Sequence, residues 1–235
     1  MTGSTRRRFI TIGLRSVGLV ALGGLACDSR RPHDGFLGLM ERTNERFQRA
    51  LFDPGQLAPE LGEEEESPPG AFPAYKISKA FPVAPAGWAL HVRGLVARPL
   101  TLSLADLQRL PHTRTRVRHH CVEGWSAVAS WDGVRLAEIA RLAGVDARAR
   151  YVEFASFDSG YWSSWDLESA LHPQTILAYG MNGAPLPVEY GAPLRLYSAV
   201  KLGYKMVKYL TEVSFHPVRT GGYWEDLGYE WFAGV

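Results

Sequence analysis

Cysteine is almost missing from this chain, with only Cys27 and Cys121 in 235 residues. One disulfide could be drawn between them, and it is disfavoured because Cys27 lies in a terminal segment. No haem or iron–sulfur motif is present, so electrons for any redox chemistry would come from another protein. Charge of one sign is missing too. A formal net charge of +2 argues against a nucleic-acid binder and against an acidic scaffold. Arg6, Arg7, Arg8 and Arg15 belong to the leader and leave a slightly acidic remainder. No run of eighteen apolar residues follows that leader, so no membrane-spanning helix is expected. There is no internal repeat. What remains, 46% hydrophobic and 11% aromatic, can bury a full core in one large domain.

Residues 1–27 read as an export signal. Thr5-Arg6-Arg7-Arg8-Phe9-Ile10 fits the twin-arginine pattern, and a weakly apolar stretch from Ser16 to Ala26 follows. An ordinary secretory signal with a basic start is the other reading. Gly24-Leu25-Ala26-Cys27 resembles a lipoprotein cleavage box, with cleavage after Ala26 and no lipid as the alternative. The expected destination is the periplasm or beyond, membrane-anchored if Cys27 is lipidated. Residues 28–70 read as a tether: one amphipathic helix over Phe36–Leu51, then Glu63–Glu66 and Ser-Pro-Pro-Gly as a solvated linker. The domain is expected over 71–235.

Strands and short helices alternate in that domain, which predicts a mixed α+β fold. Strands are expected over Trp88–Val96, Arg114–Val122, Tyr151–Phe157, Ile176–Met181, Leu194–Ala199 and Val207–Phe215. Helices are expected over Leu104–Leu110 with Ser103 as cap, over Val134–Ala143 stopped by Gly144, and over Asp166–His172 ended by Pro173.

The most informative stretch is Arg114–Gly133. In a regular strand His119, Cys121 and Glu123 share one face, with Arg118 and His120 opposite. A thiol, an imidazole and a carboxylate on one face form a candidate metal or nucleophile site. The plainer reading is a buried, inert cysteine. In an oxidising compartment, however, an unpaired Cys121 is a liability unless buried or coordinated, which favours a metal. Two further clusters carry chemistry. Tyr190-Gly-Ala-Pro-Leu-Arg195 delivers one arginine into an apolar strand, and Lys201, Lys205 and Lys208 surround the glycine turn at Gly203. An arginine fork with lysines beside free backbone N–H groups suits a phosphate dianion. The alternatives are a solvated basic edge and a salt bridge from Arg195 to Glu153, Glu189 or Asp158.

Several motifs run in a fixed order: Cys121-Val-Glu123-Gly-Trp125-Ser126, Trp131-Asp-Gly133-Val-Arg-Leu136, Tyr151-Val-Glu-Phe-Ala-Ser156 and Asn182-Gly-Ala-Pro-Leu186. Tyr190-Gly-Ala-Pro193-Leu-Arg195-Leu and Gly203-Tyr-Lys205-Met-Val-Lys208 complete the series. Together they resemble the molybdopterin-binding domain of the sulfite oxidase family, from about Phe72 onward, and are similar to its small bacterial periplasmic members. The resemblance implies the sulfite-oxidase molybdopterin-binding fold and a molybdenum–molybdopterin cofactor with Cys121 as the thiolate ligand. It implies pterin contacts at Ser156, Tyr190, Arg195, Gly203, Tyr204 and Lys205, with Arg195 and Lys205 holding the phosphate. Tyr75 or Lys76 would touch the cofactor from an N-terminal loop, and Glu123 would relay protons beside the metal. Tyr190 stands where relatives carry Asn or His, and Ser156 where threonine is common. No arginine follows Cys121 to hold an anion, which disfavours sulfite.

The implied activity is oxygen-atom transfer by an exported, monomeric oxidoreductase reducing an S-oxide or similar group, on a small molecule or a protein. A separate electron donor, such as a membrane haem protein, would serve it. The alternatives are sulfite-type oxidation on the same cofactor, a cofactor-free lipoprotein interaction module and a thiol hydrolase. The aromatic tail Tyr223-Trp224, Tyr229 and Trp231-Phe232 is expected either at the substrate mouth or in plain packing.

Overall fold

The computed structural model describes residues 35–68 and 70–235, so the leader and Cys27 lie outside the described residues. Two units separate by contact, 1–47 and 48–235. In the first, α1 (Gly35–Leu51, running into the second unit) confirms the helical spacing. Phe36, Leu39, Met40 and Phe47 lie exposed along it.

The second unit is built on two five-stranded sheets, the mixed α+β architecture expected. One sheet orders β1 (Leu90–Gly94), β2 (Leu100–Leu102), β5 (Tyr151–Ser156), β6 (Trp162–Asp166) and β10 (Leu210–His216) as β2-β1-β10-β5-β6. The other runs β3 (His112–His120), β4 (Ser126–Arg135), β7 (Thr175–Met181) and β8 (Ala184–Pro185), with β9 (Arg195–Ser198) on β7. Only β1 and β10 pair in parallel among these. Short helices join the strands: α2 (Leu104–Gln108), α3 (Leu136–Ala143) and α4 (Leu167–Ala170). Their ends follow local chemistry. Ser103 and Asp106 form a reciprocal capping box on α2, Gly144 ends α3 at φ +66, and Asp166 caps α4. Trp131, Phe154, Trp165, Tyr197 and Phe215 fill the core, with the Trp131 and Tyr197 rings stacked 4.3 Å apart.

Three features depart from the sequence reading. β4 has no alternation to reveal it, because Ala127 through Val134 are buried on both faces. β10 begins at Leu210 rather than Val207, after Tyr209 turns the chain at φ +56. The acidic stretch read as a solvated linker is an ordered strap. Leu61 N–H donates to the Arg116 carbonyl (2.8 Å), and the Glu60 carboxylate accepts from Arg116 N–H (2.8 Å) and the Thr115 hydroxyl (2.6 Å). Ser67 then pairs with the backbone of Val128 (2.9 and 2.8 Å), and Glu66 meets Arg116 at 3.3 Å. The physical reason is the open edge of β3, whose outward N–H and C=O groups need partners.

Candidate functional site

The strand carrying the candidate thiol stops one residue short of it. β3 and β4 pair from His112↔Val134 to His120↔Ser126, and the loop between them is Cys121–Trp125. Cys121 N–H donates to the Trp125 carbonyl (3.0 Å) and Gly124 N–H to the Cys121 carbonyl (3.1 Å). Gly124 takes φ +87, the left-handed residue that closes the tight turn of this hairpin. Cys121 therefore stands at a hairpin tip, half-buried, and not on a strand face as the alternation suggested. His119, Cys121 and Glu123 nevertheless line one cavity, of about 400 Å³. That volume lies within the range of small-ligand sites.

Most of the expected residues meet there. Tyr75, Lys76, Ser156, Tyr190, Arg195, Gly203 and Tyr204 all line the same cavity. Tyr75 donates its hydroxyl to Glu123 (2.5 Å), and Trp125 Nε1 donates to the same carboxylate oxygen (3.3 Å), so Glu123 is held in place beside the thiol. That bond to Glu123 raises the Tyr75 pKa. Burial raises the Cys121 pKa, partly offset by backbone N–H groups of its own turn. Coordination to a metal ion would displace that proton and leave the thiolate.

At the cationic side, Arg195 is 4% exposed and lies over the Trp131 ring at 4.8 Å. Its Nη1 donates to the Tyr190 carbonyl (2.9 Å) and its Nε to the Leu196 carbonyl (3.3 Å), while Nη2 has no acceptor among the described residues. Burial lowers its pKa to about 10, so it stays charged at neutral pH. None of the three carboxylates weighed as its partner pairs with it. Tyr190 donates its hydroxyl to the Phe72 carbonyl (2.6 Å), and the Ser156 hydroxyl accepts from Asp158 N–H (2.9 Å). Tyr204 donates to the Glu230 carbonyl (2.6 Å), and its own carbonyl accepts from the Tyr161 hydroxyl (2.8 Å).

Lys205 does not reach the cavity. It is fully buried behind the Gly203–Lys205 turn, where Nζ donates to the Ser164 carbonyl (2.8 Å) and ion-pairs with Glu225. A buried ammonium needs an acid beside it, and Glu225 from the C-terminal segment supplies one. Lys201 is bound likewise, to Asp166 (3.1 Å) and the Phe232 carbonyl (2.7 Å). Of the three lysines around the turn, Lys208 lines the cavity, as Lys76 does from its own loop, and it donates to the carbonyls of Glu189 (2.9 Å) and Tyr75. Burial lowers its pKa to about 7, with Arg195 nearby adding to the effect. Three lysines around one turn are equivalent in sequence, and only packing separates them.

Phe72, Trp125, Tyr161, Tyr209 and the tail residues Tyr223, Trp224 and Tyr229 complete the wall. Of the tail, Trp231 and Phe232 are packed in the interior instead. His119 is also in the wall, 4% exposed, its pKa lowered to about 3 chiefly by burial. No hydrogen bond joins His119 to Cys121 among the described residues, and burial disfavours the charged ring that a base for the thiol would become.

The donor set fits a molybdenum–pterin group. The Cys121 thiol, a guanidinium with an uncommitted nitrogen, and Lys76 and Lys208 face a single cavity. No three metal-ligating side chains converge among the described residues, so side chains alone do not complete a metal site at Cys121.

Comparison with known proteins agrees. Residues 78–224 match the oxidoreductase molybdopterin binding domain. The chain is 40% identical, over 97% of its length and 87% of the relative's, to the putative protein-methionine-sulfoxide reductase subunit YedZ1 of Azospira oryzae. It is 35% identical to the protein-methionine-sulfoxide reductase catalytic subunit MsrP of Xanthomonas campestris, over 65% of this chain but only 51% of that one. In structure it resembles the sulfane dehydrogenase SoxCD of Paracoccus pantotrophus, with a TM-score of 0.54 at 24% identity over 62% of this chain and 40% of that one. That likeness speaks to the fold alone.

Proposed function

Because this chain belongs to the family of oxidoreductases with a molybdopterin-binding domain, we propose that it is an exported reductase of S-oxides, with methionine sulfoxide in proteins as the substrate class. The observation that carries the reading is one cavity lined by the Cys121 thiol, the Glu123 carboxylate, and the Arg195 and Lys208 cations. When bound, the molybdenum–pterin group supplies two-electron oxygen-atom exchange with the substrate. Cys121 would be its thiolate ligand. Arg195 Nη2 and Lys208 Nζ would hold the phosphate, the former as part of a planar fork and the latter as a point charge. Tyr75, Lys76, Ser156, Tyr190, Gly203 and Tyr204 would line the group.

The reaction balances as sulfoxide plus two electrons plus two protons giving thioether plus water. Glu123, fixed by Tyr75 and Trp125, is suited to pass protons at its carboxylate. Its negative charge beside the thiol also opposes a sulfite dianion and tolerates a neutral sulfoxide, which favours reduction over sulfite oxidation. The aromatic wall offers faces that sulfur groups favour. The two electrons would come from a separate protein, a membrane haem protein being the candidate. The twin-arginine leader would export the chain folded, with Cys27 as a site for a lipid anchor.

The test is Cys121→Ser in protein made in a molybdenum-competent host, with a reduced dye as donor and methionine sulfoxide as acceptor. Turnover and bound molybdenum should both vanish while the fold persists. Full turnover in that variant would refute the assignment.

A further inference from the structure

Resting on the cofactor reading above, we infer that His119 is a positioning residue, donating a hydrogen bond from Nε2 to the pterin–molybdenum group. The ring cannot swing. It is packed against Phe72 (4.8 Å between centroids), Trp125 (5.5 Å) and Tyr197 (6.0 Å, within 25° of parallel). Its two nitrogens differ in surroundings. Nδ1 is sealed from solvent with no hydrogen-bond partner. Nε2 has no hydrogen-bond partner among the described residues either, and His119 lines the cavity. It abuts Gly203 so closely that a Cβ there would come within 2.5 Å of it.

An imidazole carries at least one N–H. Placing it on Nδ1 would bury an orphan donor, the rarer and costlier kind of unpaired group, whereas a bare Nδ1 acceptor is tolerated more often. The proton therefore belongs on Nε2, an unpartnered donor on a residue that lines the cavity. Its position selects the acceptor. β3 places His119 two residues before the thiol, and Nε2 touches the Gly203 turn, whose next residue Tyr204 is in the cavity wall. A donor between Cys121 and that turn lies among the residues that would hold the bound group. Gly203 also acquires a reason, because any side chain would displace the imidazole.

The test compares wild type, His119→Phe, which keeps the ring stack and loses the donor, and His119→Gln, which restores an N–H donor. Molybdenum and extracted pterin per chain are measured after dialysis, with the Mo(V) resonance of the reduced protein and the KM and kcat for methionine sulfoxide. Cofactor retention in the Phe variant should fall on the order of tenfold, the loss of one good hydrogen bond. The Mo(V) signal of the remainder should shift, and Gln should recover much of both. Should the Phe variant not fold, His119→Leu against His119→Gln makes the same comparison. Wild-type occupancy with an unchanged Mo(V) signal in the Phe variant would overturn the inference. So would a raised KM with full occupancy, which would assign the donor to substrate. A wild-type protein free of molybdenum and pterin would instead bring down the cofactor reading and this inference with it.

Discussion

The buried pair of Lys205 and Glu225 ties the cavity wall to the C-terminal segment, and its removal should be felt in both stability and cofactor retention. Lys205 is fully buried and Glu225 is 3% exposed. Besides each other, they bind the Ser164 carbonyl (2.8 Å) and the Ser163 hydroxyl (2.5 Å). In Glu225→Gln the ammonium loses its counter-charge without leaving the interior. Breaking a buried pair from one side costs about 3–5 kcal/mol. For a domain of this size each kcal/mol lowers Tm by roughly 2–4 °C, so the loss should be about 6–20 °C. Lys205→Met should behave similarly, by stranding the carboxylate. The double replacement Lys205→Met with Glu225→Leu removes both charges and fills the space. It leaves two serine groups short of a partner at about 1 kcal/mol each, so it should lie within about 2 kcal/mol of wild type. Thermal unfolding of the four proteins closes the cycle. Because the Gly203–Lys205 turn carries Tyr204 into the cavity wall, the single variants should also retain less molybdenum than the double. Additive losses, with the double variant the least stable of the four, would refute the reasoning.

Three further outcomes follow from named residues. Gly124→Ala meets open space but must adopt φ +87, so it should cost about 1–2 kcal/mol through backbone strain alone, read by denaturant midpoint at unchanged slope. Lys208, with its pKa lowered to about 7 by burial, should make phosphate-ester binding to the cofactor-free protein weaken as pH rises from 6 to 8. Lys208→Gln should flatten that dependence in a calorimetric titration. Asp166 feels burial as the largest influence, yet Lys201 and the Ser169 groups together outweigh it and hold its pKa below the usual carboxylate value. Since the folded state releases this proton more readily than the unfolded chain, its stabilisation is present above about pH 4 and fades as pH falls further. The stability gap between wild type and Asp166→Asn should therefore narrow in acid, and a gap unchanged down to pH 2 would contradict it.

The sequence alone determined whatever depends on local chemistry and on chain order. Ser103 before an apolar turn caps α2, Gly144 ends α3, and the alternation of Tyr151–Ser156 makes a strand. The ordered motifs around Cys121, Ser156, Arg195 and Gly203 marked one cavity before any coordinates did, because each is a short segment whose residues work together. Tertiary structure alone decided the rest. β4 carries no period, because both its faces are buried, and the strap at 58–67 reads as solvent-loving until the edge of β3 claims its backbone and carboxylates. Between Lys205 and Lys208 the choice rests on Glu225, twenty residues away in the chain and in direct contact in the fold. A buried charge goes where its counter-charge is, and that location belongs to the folded molecule.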